Sequence, residues 1–597
     1  MTFPLQDLLT ILPELIVIGT ACLILALDPI LEASKKDVLA WLTLGALAMC
    51  IGLTSSQMTG RVSAFSGMVV IDAYAAFWKL LLYIVTGLTV LLSLAYLKAE
   101  RLSIGEYYGF ILLALAGMMV MVSGADLLTI YLGTELMSLS LYVMAGLKRT
   151  EARSLEASAK YFVLGAFSSG ILLYGISLLF GLAGSTGLSA IAAAITTHGT
   201  GDPLLSMALV LLAVGFGFKM AVVPFHMWTP DVYQGAPTSV TAFMAVASKA
   251  ASFGAFLRVF VEGLGAASAD WSVLFTVICL ATLALGNLVA IVQTNIKRML
   301  AYSSIAHAGY ALIGVVVAGG HSGEGASTGF ASVLLYIAIY SFMTLGAFAL
   351  IGMLRKEGQE SEQIEDYAGL AKREPLAAFF MLVFMVSLAG IPPTAGFIGK
   401  FYIFMAAVNG GMTWLAIVAV IFAAISAFYY LRVVMVMYMR EAEGSVATHS
   451  RLETSPALSL VLACALAGVV LLGLFPNGLW SLASQAAQIY LCANFFHRER
   501  DQGEQHDWIG MMSASELVQG VCWVLPLFLF WSGATSLQAA YLVSFIMAII
   551  AVRLLVVNNF MPVLVAGTGV MSIGVAIRCA AQGEPIFFAL AGLAITL

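Results

Sequence analysis

GFGFKMAVVPFHMWTPDVYQGAPTSVTAFMAVASKAASF, Gly215 to Phe253, sets two lysines and two prolines inside an almost unbroken apolar run. A lysine at the centre of a bilayer costs roughly 2.5–3.5 kcal/mol on insertion scales, so Lys219 and Lys249 need a reason to be there. Pro224 and Pro230 interrupt the run. A membrane helix tolerates such a break only where protein or a water-filled cavity satisfies the freed backbone groups.

Outward from this stretch the whole chain has the same character. Of its 597 residues 61% are hydrophobic and only 10% charged. Soluble domains carry roughly a quarter charged residues, so the composition specifies an integral membrane protein with the lipid bilayer as solvent. The net charge of −5 gives no reason to expect a nucleic-acid partner. The seven cysteines are scattered and have no CxxC pair or neighbouring histidine cluster, which argues against a metal centre, an iron–sulfur cluster or a disulfide framework. No strand pattern and no glycine-rich nucleotide fingerprint is visible. The N-terminal stretch lacks the basic region of a cleaved signal peptide and reads as a first, retained span carrying Glu14.

Spans of about 20 apolar residues recur from 8–27 to 455–475, among them 69–95, 126–147, 204–228, 239–261, 298–318 and 376–406. Their number is about fourteen. With the N-terminus outside, one set of alternate loops holds Lys35, Lys36, Lys98, Arg101, Lys148, Arg149, Lys297, Arg298, Arg355 and Arg373, while the opposite set holds little beyond Arg61 and Arg258. Basic loops stay in the cytoplasm, so the asymmetry supports that orientation and puts the long 355–375 loop on the cytoplasmic side. After residue 475 the pattern weakens, with a surface helix at 479–496, a polar linker at 497–508 and further apolar stretches to the C-terminus. The chain therefore divides into a membrane domain, 1–492, and an extension, 493–597, of uncertain topology.

A second break, LAGIPPTAGFIGKFYIF (388–404), pairs Pro392 and Pro393 with Lys400. One interrupted helix in each half of a long membrane protein points to a transport site; the plainer alternative is that each proline merely kinks its helix. Glu135 lies mid-span in DLLTIYLGTELMSLSLYVMAGL (126–147). Buried ionisable groups of this kind are functional or paired, the alternative being an ion pair that only fixes helix register. Lys160 stands near a helix end, where it could also snorkel. His226 and His307 titrate in the range a proton relay needs, though either could be a satisfied core histidine. Burial disfavours the charged form of any such group and an opposite charge restores it, so a buried Glu–Lys pair can be switched. That chemistry suits protons better than a bulky solute.

The stretch from Phe218 to Ala251, together with IVQTNIKRMLAYSSIAHAGY (291–310), ASAKYFVLGAFSSGILLYG (157–175) and GIPPTAGFIGKFYIF (390–404), resembles the N-subunit family of proton-translocating NADH:quinone oxidoreductase, respiratory complex I. The related L and M subunits and the cation/proton antiporter subunits carry a different version after the broken helix; Asp231 to Pro237 favours the N type. The resemblance spans about residues 1–490. It implies an all-α polytopic fold of fourteen transmembrane helices with two inverted five-helix repeats, each with a broken helix. It also implies proton translocation in which Glu135 and Lys219 form a coupling pair, Lys160 modulates them, Lys249 is the central relay and Lys400 leads to the exit, with His307 as a further carried-over candidate. By the same resemblance this chain binds no cofactor. NADH, FMN, iron–sulfur clusters and quinone belong to other membrane and peripheral subunits in a bacterial-type inner membrane. A stand-alone or multisubunit cation/proton antiporter, or a membrane subunit of an energy-converting hydrogenase, remains as an alternative.

Overall fold

The structure, a computed structural model, describes residues 5–497 apart from 33–34, 59, 101, 103–104, 321–323, 357–358, 442–449 and 453–454. Its contacts divide the chain into Met1–Arg498 and Glu499–Leu597. The expected linker and apolar stretches from Arg498 onward lie outside the described residues.

Helices dominate because the backbone has no water to bond to in lipid and must close its hydrogen bonds within each segment. After α1 (Leu5–Thr10) come α2 (Leu12–Leu27), α3 (Asp37–Ser56), α4 (Ala73–Ala99), α5 (Glu106–Ser123), α6 (Leu127–Ala145), α7 (Ala152–Ala183), α8 (Leu188–His198) and α9 (Pro203–Met220). Next are α10 (Trp228–Gly235), α11 (Thr238–Phe243) and α12 (Lys249–Leu257), then α13 (Ser268–Ile291), α14 (Ile296–Gly320) and α15 (Glu324–Met353). The described residues end with α16 (Leu370–Arg373), α17 (Pro375–Ala389), α18 (Ala395–Asn409), α19 (Thr413–Met439), α20 (Pro456–Leu474) and α21 (Asn477–His497). Among the described residues twelve helices, counting α11 to the turn after α12 as one, are long and apolar enough to cross a membrane.

Helix starts follow their local chemistry. Asp72 accepts a hydrogen bond from the Ala75 amide, Asp126 from Leu128 and Thr129, and Asp202 from Leu204, which relieves amides with no partner inside the helix. Small residues set how closely the helices approach. A Cβ on Gly117 of α5 would lie 2.4 Å from the Met137 amide nitrogen and 2.5 Å from the Gly133 carbonyl oxygen of α6, both backbone atoms that cannot yield. Burial separates centre from periphery. The most apolar windows of α14 and α15 are 94% buried and that of Thr238–Gly263 is fully buried, against 33% for α19 and 28% for α20.

Four features differ from the sequence reading. Span 204–228 ends early, at Met220, because the chain leaves the helix there. Span 376–406 is two short helices, α17 and α18, separated by Gly390–Thr394. Strands, which the sequence did not suggest, are present in the connections: β1 (Val62–Ala64) pairs with β2 (Val69–Ile71), and β3 (Leu354–Lys356) lies between β4 (Gln359–Glu360) and β5 (Ser450–Leu452). These are too short to show a period-2 pattern. Finally, Arg258, counted above as a loop charge, is fully buried in a π turn, Arg258–Gly263, at the end of α12. Removing it from the loops leaves the charge asymmetry sharper.

Candidate proton-transfer site

The first break is built around Lys219. α9 stops one residue later, with Ala221 in the left-handed region at φ 59°. A side chain there is strained by roughly 1–2 kcal/mol, which a surrounding structure must hold in place. The holding contacts are visible: the Trp228 indole donates to the Phe218 carbonyl at 3.0 Å and the Val223 amide donates to Thr282 Oγ1 at 3.0 Å. Tyr161 of α7 stacks on Trp228 with ring centroids 4.4 Å apart, fastening α10 to α7. His226 is half-buried in the irregular segment, Pro224 is exposed and Pro230 lies buried in the first turn of α10.

Lys219 is 5% exposed, and its ammonium donates to Ser138 Oγ at 2.7 Å and Ser169 Oγ at 3.4 Å. Ser138 stands one turn after Glu135 on α6, and Glu135 is itself 5% exposed. The two expected partners therefore share one polar pocket, but no ion pair within 4.0 Å joins them. The lysine rests on hydroxyls.

Lys249 opens α12 directly after a π turn, Met244–Ser248, a local widening frequent at functional positions. Its ammonium donates to the Ser304 carbonyl of α14 at 2.5 Å. The same face of α14 continues through His307 to Tyr310. Tyr340 donates to Ser304 Oγ at 2.8 Å; His307 bonds the Tyr336 hydroxyl through Nδ1 at 2.6 Å and the Tyr430 hydroxyl through Nε2 at 3.1 Å. Tyr430 also shares a very short hydrogen bond with Ser303.

Lys400 closes the row. Its ammonium donates to the carbonyls of Leu388 at 3.1 Å and Ala389 at 2.8 Å and stands 4.9 Å from the centroid of the Tyr310 ring. Those carbonyls belong to the last turn of α17, whose chain turns away at Gly390 and Pro392–Pro393. Helix ends leave carbonyls without intrahelical partners, and a cation there also meets the favourable end of the helix dipole. Gly390 is required twice over, at φ 84° and with the site of its missing Cβ 2.8 Å from Lys400 Cδ.

Lys160 stands apart from this row. Its side chain is 43% exposed and pairs with Glu156 at 2.7 Å and Asp231 at 2.8 Å; Asp231 also takes Arg298 at 2.6 Å. Among the described residues no group of three or more His, Cys, Asp or Glu is placed to hold a metal ion.

Two buried pairs went unread in the sequence. Lys79 of α4, fully buried, meets Glu14 of α2 at 2.5 Å. Arg258 meets Asp72 at 3.0 Å and Glu262 at 3.5 Å, and Glu262 takes Arg61 at 3.0 Å. The rule that singled out Lys219, a charge deep in an apolar run, also applies to Lys79.

The buried cations among the described residues thus fall into two kinds. Lys79, Arg258, Lys297 and Arg355 each have a carboxylate within ion-pair distance, whereas Lys219, Lys249 and Lys400 have none and donate to hydroxyls and carbonyls. At Lys249 and Lys400 an ammonium on neutral acceptors can give up its proton without stranding a buried carboxylate, whereas Lys219 has Glu135 in the same pocket.

A family model described as NADH:quinone oxidoreductase/Mrp antiporter, TM, matches residues 124–426. That segment holds Glu135, Lys219, Lys249, His307 and Lys400, and the chain belongs to this family of ion-translocating membrane subunits. Within it, the chain is similar to NADH-quinone oxidoreductase subunit N 2 of Rhizobium meliloti (strain 1021), at 47% identity over 484 residues, covering 81% of this chain and 98% of the relative. Subunit N of Trichlorobacter lovleyi is 44% identical over 491 residues, covering 82% and 98%. A chain of respiratory complex I from Thermus thermophilus superposes with a TM-score of 0.67 at 32% identity, covering 79% of this chain and 99% of that one. A chain of the Mrp complex from Dietzia sp. DQ12-45-1b shares the fold, with a TM-score of 0.70 at 21% identity.

Proposed function

We propose that this chain is the N-type membrane subunit of a proton-translocating NADH:quinone oxidoreductase, and that protons cross it along Lys219, Lys249 and Lys400. The site assignment rests on one arrangement: these three ammonium groups donate to neutral acceptors at two helix breaks and a π turn. Glu135 is the switch. When the Lys219 ammonium swings from Ser138 to Glu135, one turn away, the charge is held; when it swings back, the proton can leave. His307, bonded to two tyrosines between Lys249 and Lys400, supports the transfer between them. His226, in the first break, stands beside the route. Lys160 acts from the surface through Asp231 rather than inside the row. Electron transfer from NADH to quinone, with FMN and iron–sulfur clusters, takes place in the partner subunits. Residues 1–492 form the translocating domain, 493–597 an appended segment, and the two halves of the domain are inverted repeats around the two breaks.

The loop charges support an N-terminus outside the bacterial plasma membrane. Vesicles of known sidedness that contain the whole complex test both points together. NADH oxidation should acidify the compartment on the N-terminal side, at the same rate with or without Na⁺. Acidification of the opposite side would overturn the orientation. Proton movement that requires Na⁺ would identify a cation/proton exchanger instead.

A further inference from the structure

Glu360 lies in β4, within the long basic loop, yet its side chain is only 6% exposed. The β3–β4 hairpin, closed by the Ser361 amide on the Leu354 carbonyl at 3.1 Å, turns it inward. Its carboxylate accepts a very short hydrogen bond from the Tyr96 hydroxyl of α4 and one of 2.5 Å from Thr238 Oγ1, the first residue of α11. Lys297 of α14 lies 3.7 Å away and Lys148, just after α6, 3.9 Å. Tyr96 Oη in turn accepts the Thr238 amide at 3.0 Å, and Lys297 donates to the Ala236 carbonyl at 3.0 Å. Burial alone would raise the Glu360 carboxyl, but Lys297, Lys148 and the two hydroxyls outweigh it and hold it below the usual glutamate range. These partners favour the charged form and fix the carboxylate in place.

Two of the elements it joins are those that make the Lys249 contact. α11 runs through the π turn into Lys249, and α14 carries Ser304 seven residues beyond Lys297, about 10 Å along the axis. A π turn offsets the residues on its two sides, so the place of Lys249 depends on how the start of α11 is held. The far end of the same segment is held by Arg258 on Asp72.

We propose that Glu360 is a positioning residue that locks the first residue of α11 against Lys297 of α14 and so sets the register of the Lys249–Ser304 contact. This rests on the reading of Lys249 as a proton relay. The test uses the whole complex with Glu360→Gln, the double variant Glu360→Gln/Lys297→Gln, which leaves no stranded cation, and Lys249→Gln. Both Glu360 variants should raise hydrogen–deuterium exchange across residues 238–243 and slow NADH-driven proton uptake by roughly tenfold, since a displacement of order 1 Å at a reacting contact costs up to 10²-fold. Lys249→Gln should stop uptake while exchange at 238–243 stays as in the wild type. An assembled double variant with wild-type exchange, or with raised exchange and wild-type uptake, overturns the proposal. If Lys249→Gln pumps normally, the relay reading fails instead, and exchange in the Glu360 variants still decides whether this residue holds α11.

Discussion

Replacing Lys219 by alanine should abolish proton uptake by vesicles containing the assembled complex, and NADH oxidation should fall with it. The substitution removes the ammonium from Ser138 and Ser169 and leaves Glu135 with nothing to exchange against. The step lost is the one that must be driven against the membrane potential, where each charge moved against 100 mV costs about 2.3 kcal/mol. Because redox and pumping are coupled, a stalled relay holds back quinone reduction by at least about tenfold, equivalent to roughly 1.4 kcal/mol on the barrier. Lys219→Arg separates charge from proton release: its guanidinium fills the site but stays charged at any accessible pH. That variant should assemble and still fail to pump. Native gel electrophoresis checks assembly, and an assembled Lys219→Ala complex with the wild-type rate would make this lysine structural.

The largest stability effect is expected at Arg258. Arg258→Met removes the guanidinium that faces Asp72 and Glu262 and also donates to the Val122 carbonyl at 3.1 Å. Breaking a buried ion pair from one side costs about 3–5 kcal/mol because the remaining charge is uncompensated. Asp72 is also the N-cap of α4, so its displacement frays the helix that carries Lys79. The subunit should be lost from the membrane or denature at a lower temperature within the complex. Arg258→Met/Asp72→Asn should recover most of the loss, since asparagine caps a helix as well as aspartate does. A single variant with unchanged abundance and midpoint would show that the cluster contributes little.

What the sequence made legible follows from what it can encode locally. Lys219, Lys249 and Lys400 stand out because a charge in an apolar run is improbable without a use, and both breaks are written by prolines. Lys160 was less readable. Glu156 stands four residues before it, a spacing that marks an exposed helix face, and the structure does show that pair. The partners of His307 could not be read locally at all. Tyr336 and Tyr430 come from α15 and α19, and nothing near SSIAHAGY announces them. Arg258 falls near the edge of an expected span and reads as a loop charge, because span edges drawn from hydropathy drift by several residues. Glu360 was hidden for the opposite reason. A polar loop reads as solvated, and only a short hairpin folded back over the helix ends reveals a buried carboxylate.

Buried cations that face neutral acceptors carry the proton route, and those that face carboxylates hold the helices together. Protons moved per NADH oxidised, measured in vesicles for Lys249→Gln beside Glu14→Gln/Lys79→Gln, tests this division most directly. In the second variant both members of a buried pair are neutralised together, leaving no unpaired charge. The predicted result is an assembled Lys249→Gln complex that moves no protons beside a double variant with the wild-type ratio. Wild-type pumping in Lys249→Gln, or its loss in an assembled double variant, would contradict the assignment.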